Sequence, residues 1–148
     1  MRAGDGARMR GEEALPTREA RALAEARALV ARLGREGRHH VASAVLTPAG
    51  LYTGINLECT LPQGSVCAEP VAIGAAMTAE PGAPILFSVA VNRRGEVIPP
   101  CGCCRELLAD FGPDAEVAVE ESGGVLRTAP LRALLPDAYK ARLRWREE

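Results

Sequence analysis

Aromatic side chains are scarce in this chain, at 3% of its 148 residues, well below what a stacking surface for single-stranded nucleic acid uses. Neither sign of charge dominates. With 18 Lys and Arg against 19 Asp and Glu, no strong field draws the protein to phosphate backbones or anionic membranes. Together these shortages argue against a nucleic acid polymer as partner and favour a small, roughly neutral molecule. No apolar run reaches the ~20 residues needed to span a bilayer, and Met1 to Arg10 lacks the apolar stretch of a secretory signal. A cytoplasmic protein with no membrane partner is expected. There is no internal repeat.

What is present suffices for one buried core, since 47% of the residues are hydrophobic. Residues 1–15 mix Gly, Arg and Glu without periodicity and read as a disordered leader. Residues 16–148 read as a single domain. Thr17 can cap a helix that runs to about Gly34, with Leu23, Ala26, Val30 and Leu33 recurring at helical spacing. His40 to Thr47 and Leu51 to Ile55 read as a hairpin turned at Pro48-Ala49-Gly50. Cys67 opens a second helix, in which Pro70 is tolerated in the first turn and Gly74 either weakens the helix or permits close packing. Residues 84–92 form the strongest apolar strand, Arg93-Arg94-Gly95 turns the chain back, and a third helix begins at Cys101. Two short strands, 115–120 and 125–128, precede a final helix near Pro130. This order predicts an α/β fold, a three-layer α/β/α sandwich around a mixed sheet of about five strands.

The cysteines carry the chemistry. Their number, 5, is odd, and four of them fall in two short motifs, Cys67-Ala68-Glu69 and Pro100-Cys101-Gly102-Cys103-Cys104. That pattern suits a metal site in a reducing compartment better than a disulfide framework. Cys67, Cys101 and Cys104 can hold one zinc and leave its fourth position to water, which then ionises near neutral pH. Glu69 stands close enough to move protons without being a ligand. A closed four-thiolate site completed by Cys59 or Cys103, and a redox role for Cys101 and Cys104, are the alternatives. Placing Cys67 and Cys101 at two helix starts brings two positive dipole ends together, which offsets thiolate charge.

A His-or-Cys ligand followed two residues later by Glu, then P-C-x-x-C, is the signature of zinc-dependent nucleobase deaminases. With Val41-Ala42-Ser43-Ala44, Thr53-Gly54-Ile55-Asn56-Leu57-Glu58 and Leu134-Leu135-Pro136-Asp137-Ala138-Tyr139 in the same order, the chain resembles the cytidine deaminase family. The resemblance is to its small free-nucleoside members, which include the blasticidin S deaminases. It implies the cytidine deaminase-like fold, one Zn2+ per subunit on Cys67, Cys101 and Cys104, and Glu69 as the catalytic proton carrier. It further implies that Asn56 and Glu58 bind the ribose hydroxyls and that His39 takes the place of an aromatic packed on the pyrimidine. Tyr139 matches an aromatic that reaches into a neighbouring subunit's site, and a homotetramer is expected. The family often adds an arginine beside the thiolates, where this chain has Pro70 and Cys103, which leaves Arg105 or a residue from elsewhere in the chain as the substitute.

The expected reaction is hydrolysis of cytidine or deoxycytidine to the uracil nucleoside and ammonia. Three alternatives stand beside it: a blasticidin S-type deaminase, a deaminase of another amino-heterocycle, and a non-catalytic zinc-stabilised binding module.

Overall fold

The computed structural model describes residues 17–145; the leader expected over 1–15 lies outside them. Helix α1 (Arg18–Leu33) starts where expected, because the Thr17 hydroxyl accepts the Ala20 N–H at 3.1 Å. Strands β1 (Val41–Leu46) and β2 (Leu51–Ile55) form the anticipated hairpin. Helix α2 (Ala68–Ala79), strand β3 (Phe87–Asn92), the two-residue strand β4 (Val97–Ile98) and helix α3 (Gly102–Phe111) follow. Strands β5 (Glu116–Ser122) and β6 (Val125–Pro130) meet at Gly123-Gly124, where both residues have positive φ, the backbone that a tight two-residue hairpin demands. Two short helices, α4 (Leu131–Leu134) and α5 (Ala141–Arg144), complete the described chain.

The sheet has six strands, in the order β2-β1-β3-β5-β6, with β4 paired to β3. Its β3–β5 ladder is parallel and the other pairings are antiparallel, so the sheet is mixed as expected. The strand count exceeds the expectation because β3 divides one edge: Phe87 and Ser88 face β5, whereas Ala90 and Val91 face β4. β3 itself starts at Phe87 rather than at residue 84, since its partner Leu46 is the last residue of β1. The final helix is split. Pro136 disfavours a helical conformation in the residue before it, and Asp137 and Lys140 both have positive φ.

Side chains alternate between two cores. Ala42, Ala44 and Leu46 of β1 join Phe87, Val89 and Val91 of β3 against Ala22, Leu23, Ala26 and Val30 of α1. On the opposite face, Val45 and Val117 pack with Ala72, Ile73 and Ala76 of α2 and with Leu108 and Ala109 of α3. Helices therefore cover both sides of the sheet, the three-layer sandwich that the element order predicts. Leu33, expected on the apolar stripe of α1, is instead 39% exposed at the helix end. Among the described residues no helix is long and apolar enough to cross a membrane.

Candidate metal and catalytic site

Helix α2 is brought onto the sheet by Gly54. A Cβ there would lie 2.4 Å from the Ala72 nitrogen and 2.8 Å from the Ala68 oxygen, so only glycine lets the first turn of α2 rest on β2. That contact fixes Cys67, the N-cap of α2. Cys101 caps α3 and Cys104 lies in its first turn, positioned by the Pro99-Pro100 segment that leaves β4. The Cys67 and Cys101 sulfurs are 3.6 Å apart, those of Cys101 and Cys104 are 3.5 Å apart, and all three lie within 4.8 Å of one another. Zinc–sulfur bonds of ~2.3 Å in a tetrahedron place sulfurs ~3.8 Å apart, so small adjustments admit the ion. Cys59 and Cys103 are exposed and stand outside this group.

The electrostatics of the bare thiols also call for a cation. Burial, followed by a hydrogen bond with Cys101, raises the Cys67 pKa. Burial and then the charge of Glu69 push Cys104 far up. Cys101 moves the other way: burial works against its thiolate, but the backbone N–H of Cys104 and the two neighbouring thiols outweigh that effect and lower its pKa. Burial thus disfavours the thiolates of Cys67 and Cys104, and a divalent ion is what would let all three sulfurs ionise.

Glu69 is the second residue of α2 and is only 5% exposed. Its Oε2 accepts a hydrogen bond from the Cys104 thiol at 3.4 Å. Glu69, Cys67 and Cys101 line one end of a cavity of about 310 Å³, whose apolar walls are Val41, Val66, Ile98 and Pro99. Asn56, Glu58, Ser65 and His40 supply its remaining polar groups, and no Phe, Tyr, Trp, Lys or Arg is among the described lining residues. Larger depressions between α1 and the β3–β4 turn, about 550 Å³, and beside α3 and α5, about 780 Å³, contain no thiol.

Asn56 is buried, and its Oδ1 accepts the backbone N–H groups of His40 at 2.6 Å and Val41 at 2.9 Å. Its Nδ2 donates to Glu58 Oε1 at 3.3 Å. His39 does not line the cavity: its Nδ1 donates to the Asn56 carbonyl oxygen at 2.7 Å. His40, the neighbouring ring, takes that place, with Nε2 accepting the Gly37 N–H at 3.1 Å. Nothing in a His-His pair tells which ring turns inward. Alternation would favour His39, which is two residues before Val41, but regular pairing begins only at Val41. Tyr139 is neither in the cavity nor in the core; it is 71% exposed, with Lys140 Nζ 5.4 Å from its ring centre. Arg105 does not approach the thiols either, since Nε donates to the Pro100 oxygen and Nη1 to the Leu134 oxygen, both at 2.9 Å.

A model of the LmjF365940 subfamily of CDD/CDA-like deaminases matches residues 17–92. The blasticidin-S deaminase of Bacillus cereus is 32% identical over 115 residues, covering 72% of this chain and 81% of that protein. The chain belongs to the cytidine deaminase-like family. A cytidine deaminase of Mycobacterium tuberculosis is 32% identical over 98 residues, 66% of this chain and 70% of that one. Among solved structures, the cytidine deaminase of M. tuberculosis superposes with a TM-score of 0.70 at 27% identity, over 84% of this chain and 98% of that one. The cytidine deaminase of Burkholderia pseudomallei gives 0.66 at 30% identity, over 80% and 98%. The protein is accordingly a hydrolytic deaminase, and the non-catalytic module is set aside.

Hydrolytic deamination requires a water made nucleophilic at neutral pH, a group that carries its proton to the departing amine, and a cavity that holds the ring. In this deaminase the three-cysteine cluster could hold the metal, a buried carboxylate stands beside it, and the cavity opens onto both.

Proposed function

We propose that this deaminase converts the cytosine ring of a free nucleoside, cytidine or 2′-deoxycytidine, to uracil with uptake of one water and release of ammonia. The observation that carries the reading is the buried Glu69 carboxylate lying against the three-sulfur cluster at the end of a cavity that also holds Asn56 and Glu58. One zinc would be held by Cys67, Cys101 and Cys104, and when bound it supplies a nucleophilic water near neutral pH. Glu69 takes one proton from that water and delivers it to ring N3, then takes the proton of the new C4 hydroxyl as the carbonyl forms and hands it to the amino nitrogen, which leaves as ammonia. Its burial in a mostly apolar wall keeps bulk water from competing for those protons. With no arginine among the described hydrogen-bond partners of the thiols, the N-termini of α2 and α3 supply the positive potential that offsets them. Asn56 and Glu58 receive the ribose hydroxyls. Val41, Val66, Ile98 and Pro99 give the pyrimidine an apolar slot, with His40 at its side in the position expected of His39.

A blasticidin S-type activity is the second reading, favoured by the longer match to the Bacillus cereus protein. Both readings keep residues 16–148 as one domain acting in the cytoplasm, where reduction preserves five free cysteines. We assign a homotetramer, in which the exposed Tyr139 reaches a neighbouring copy; sedimentation near four times the 15.6 kDa chain mass supports it, and a monomer overturns it.

Mass-spectrometric deamination assays of the zinc-loaded protein decide among substrates. A gain of one mass unit on cytidine or deoxycytidine, absent in Glu69→Gln, supports the first reading; a gain on blasticidin S alone supports the second. Turnover of neither, with conversion of another amino-heterocycle, overturns both.

A further inference from the structure

Glu58 is an exposed carboxylate on a long side chain, yet both of its oxygens have donors. Asn56 Nδ2 reaches Oε1 at 3.3 Å, and the Ser65 hydroxyl reaches Oε2 at 3.4 Å. Ser65 is held in turn: its Oγ accepts the Cys59 N–H at 3.1 Å, which leaves its own proton free to point at Glu58. The loop that carries both residues is closed at its base by reciprocal backbone bonds between Leu57 and Val66, each 2.9 Å. Asn56, Glu58 and Ser65 all line the cavity.

We infer that Ser65 is a positioning residue for substrate recognition, orienting the Glu58 carboxylate so that its free lone pairs face two adjacent hydroxyl groups of the substrate. The inference rests on the proposed nucleoside activity and assigns a role to a residue that the zinc motifs do not reach. A carboxylate has about four lone-pair directions. Asn56 and Ser65 engage one on each oxygen, and those left over present a fixed pair of acceptors matched to a vicinal diol. Without Ser65, the glutamate must be ordered by the substrate itself, which weakens binding but leaves the chemistry at Glu69 untouched. Long hydrogen bonds of this kind shorten when a ligand closes the site.

The test compares wild type, Ser65→Ala and Ser65→Thr on cytidine and on 2′,3′-dideoxycytidine, which lacks the diol. Threonine keeps the hydroxyl and suits the extended backbone at this position. Ser65→Ala is expected to raise KM for cytidine about tenfold, the worth of a hydrogen bond to a charged group, with kcat within about twofold. The dideoxy substrate, zinc content and Tm should not change, and Ser65→Thr should restore the wild-type KM. An equal KM rise on both substrates would show that Ser65 only holds the loop, and an unchanged KM would show that it is idle. A wild-type protein that deaminates neither compound sinks the substrate reading instead. Calorimetric titration with uridine and 2′,3′-dideoxyuridine then decides Ser65 alone: about tenfold weaker uridine binding in Ser65→Ala, with no change for the dideoxy compound, sustains it, and any other pattern overturns it.

Discussion

At the scale of single residues, Glu69 and Cys101 make separable demands. Glu69 touches the cluster through the Cys104 thiol but is not needed as a ligand, so Glu69→Gln should retain zinc while turnover falls about 10²- to 10⁴-fold, the usual worth of a positioned proton carrier. Cys101→Ser should lose both metal and activity. Zinc content by atomic absorption beside steady-state kinetics separates the two outcomes. Glu69 and the cysteines Cys67, Cys101 and Cys104 could be read from the chain because their chemistry is carried by side-chain type and short spacing, which helix geometry preserves. The residues around them could not. His39 and His40 are neighbours of one type, and the choice between them depends on which backbone groups Asn56 captures. Asn56 itself serves the backbone as well as the cavity, a task that its spacing from Cys67 does not reveal.

At the scale of elements, two glycines near α2 should respond in opposite ways. Gly54→Ala forces a methyl group against the first turn of α2, so we expect a loss of about 1–3 kcal/mol and weaker zinc binding as Cys67 moves away from Cys101. Gly74 has nothing within 4 Å of an added Cβ and sits in the exposed middle of the same helix. Gly74→Ala should therefore stabilise by about 0.5–1 kcal/mol. Urea denaturation with zinc competition measures both. The close packing read as one option for Gly74 occurs instead at Gly54, because only a strand residue beneath the helix sets the approach of the two backbones.

At the scale of the whole molecule, the far end of the sheet ties the hairpin to the last turn of α2. Tyr52 donates to Glu80, and Thr47 Oγ1 donates to the same carboxylate at 2.7 Å. These two bonds, in that order, hold Glu80 below the usual carboxylate range despite some desolvation. A depressed folded-state pKa gives stability that is complete above the ordinary carboxylate value and is lost as pH falls through the folded value. The Tm difference between wild type and Tyr52→Phe should thus be larger at pH 7 than at pH 3; a constant difference would mean that the phenol contributes only packing. Removal of zinc by a chelator should lower Tm at neutral pH and readdition should restore it, since burial resists the thiolates of Cys67 and Cys104 when no cation is present.

Periodicity and spacing alone determined the layered α/β architecture, the first hairpin, and a cysteine motif with its carboxylate. Those features depend on residues near one another in the chain, where apolar alternation and helix starts express themselves locally. Only the tertiary structure decided the two-residue β4, the turn of Arg105 toward the Pro100 and Leu134 carbonyls, the exposure of Tyr139, and the hydrogen bonds that converge on Glu58. Each of these depends on contacts whose formation requires the sheet order and the seat of α2 on Gly54, and no local spacing encodes the distances between segments that meet only when the chain has folded.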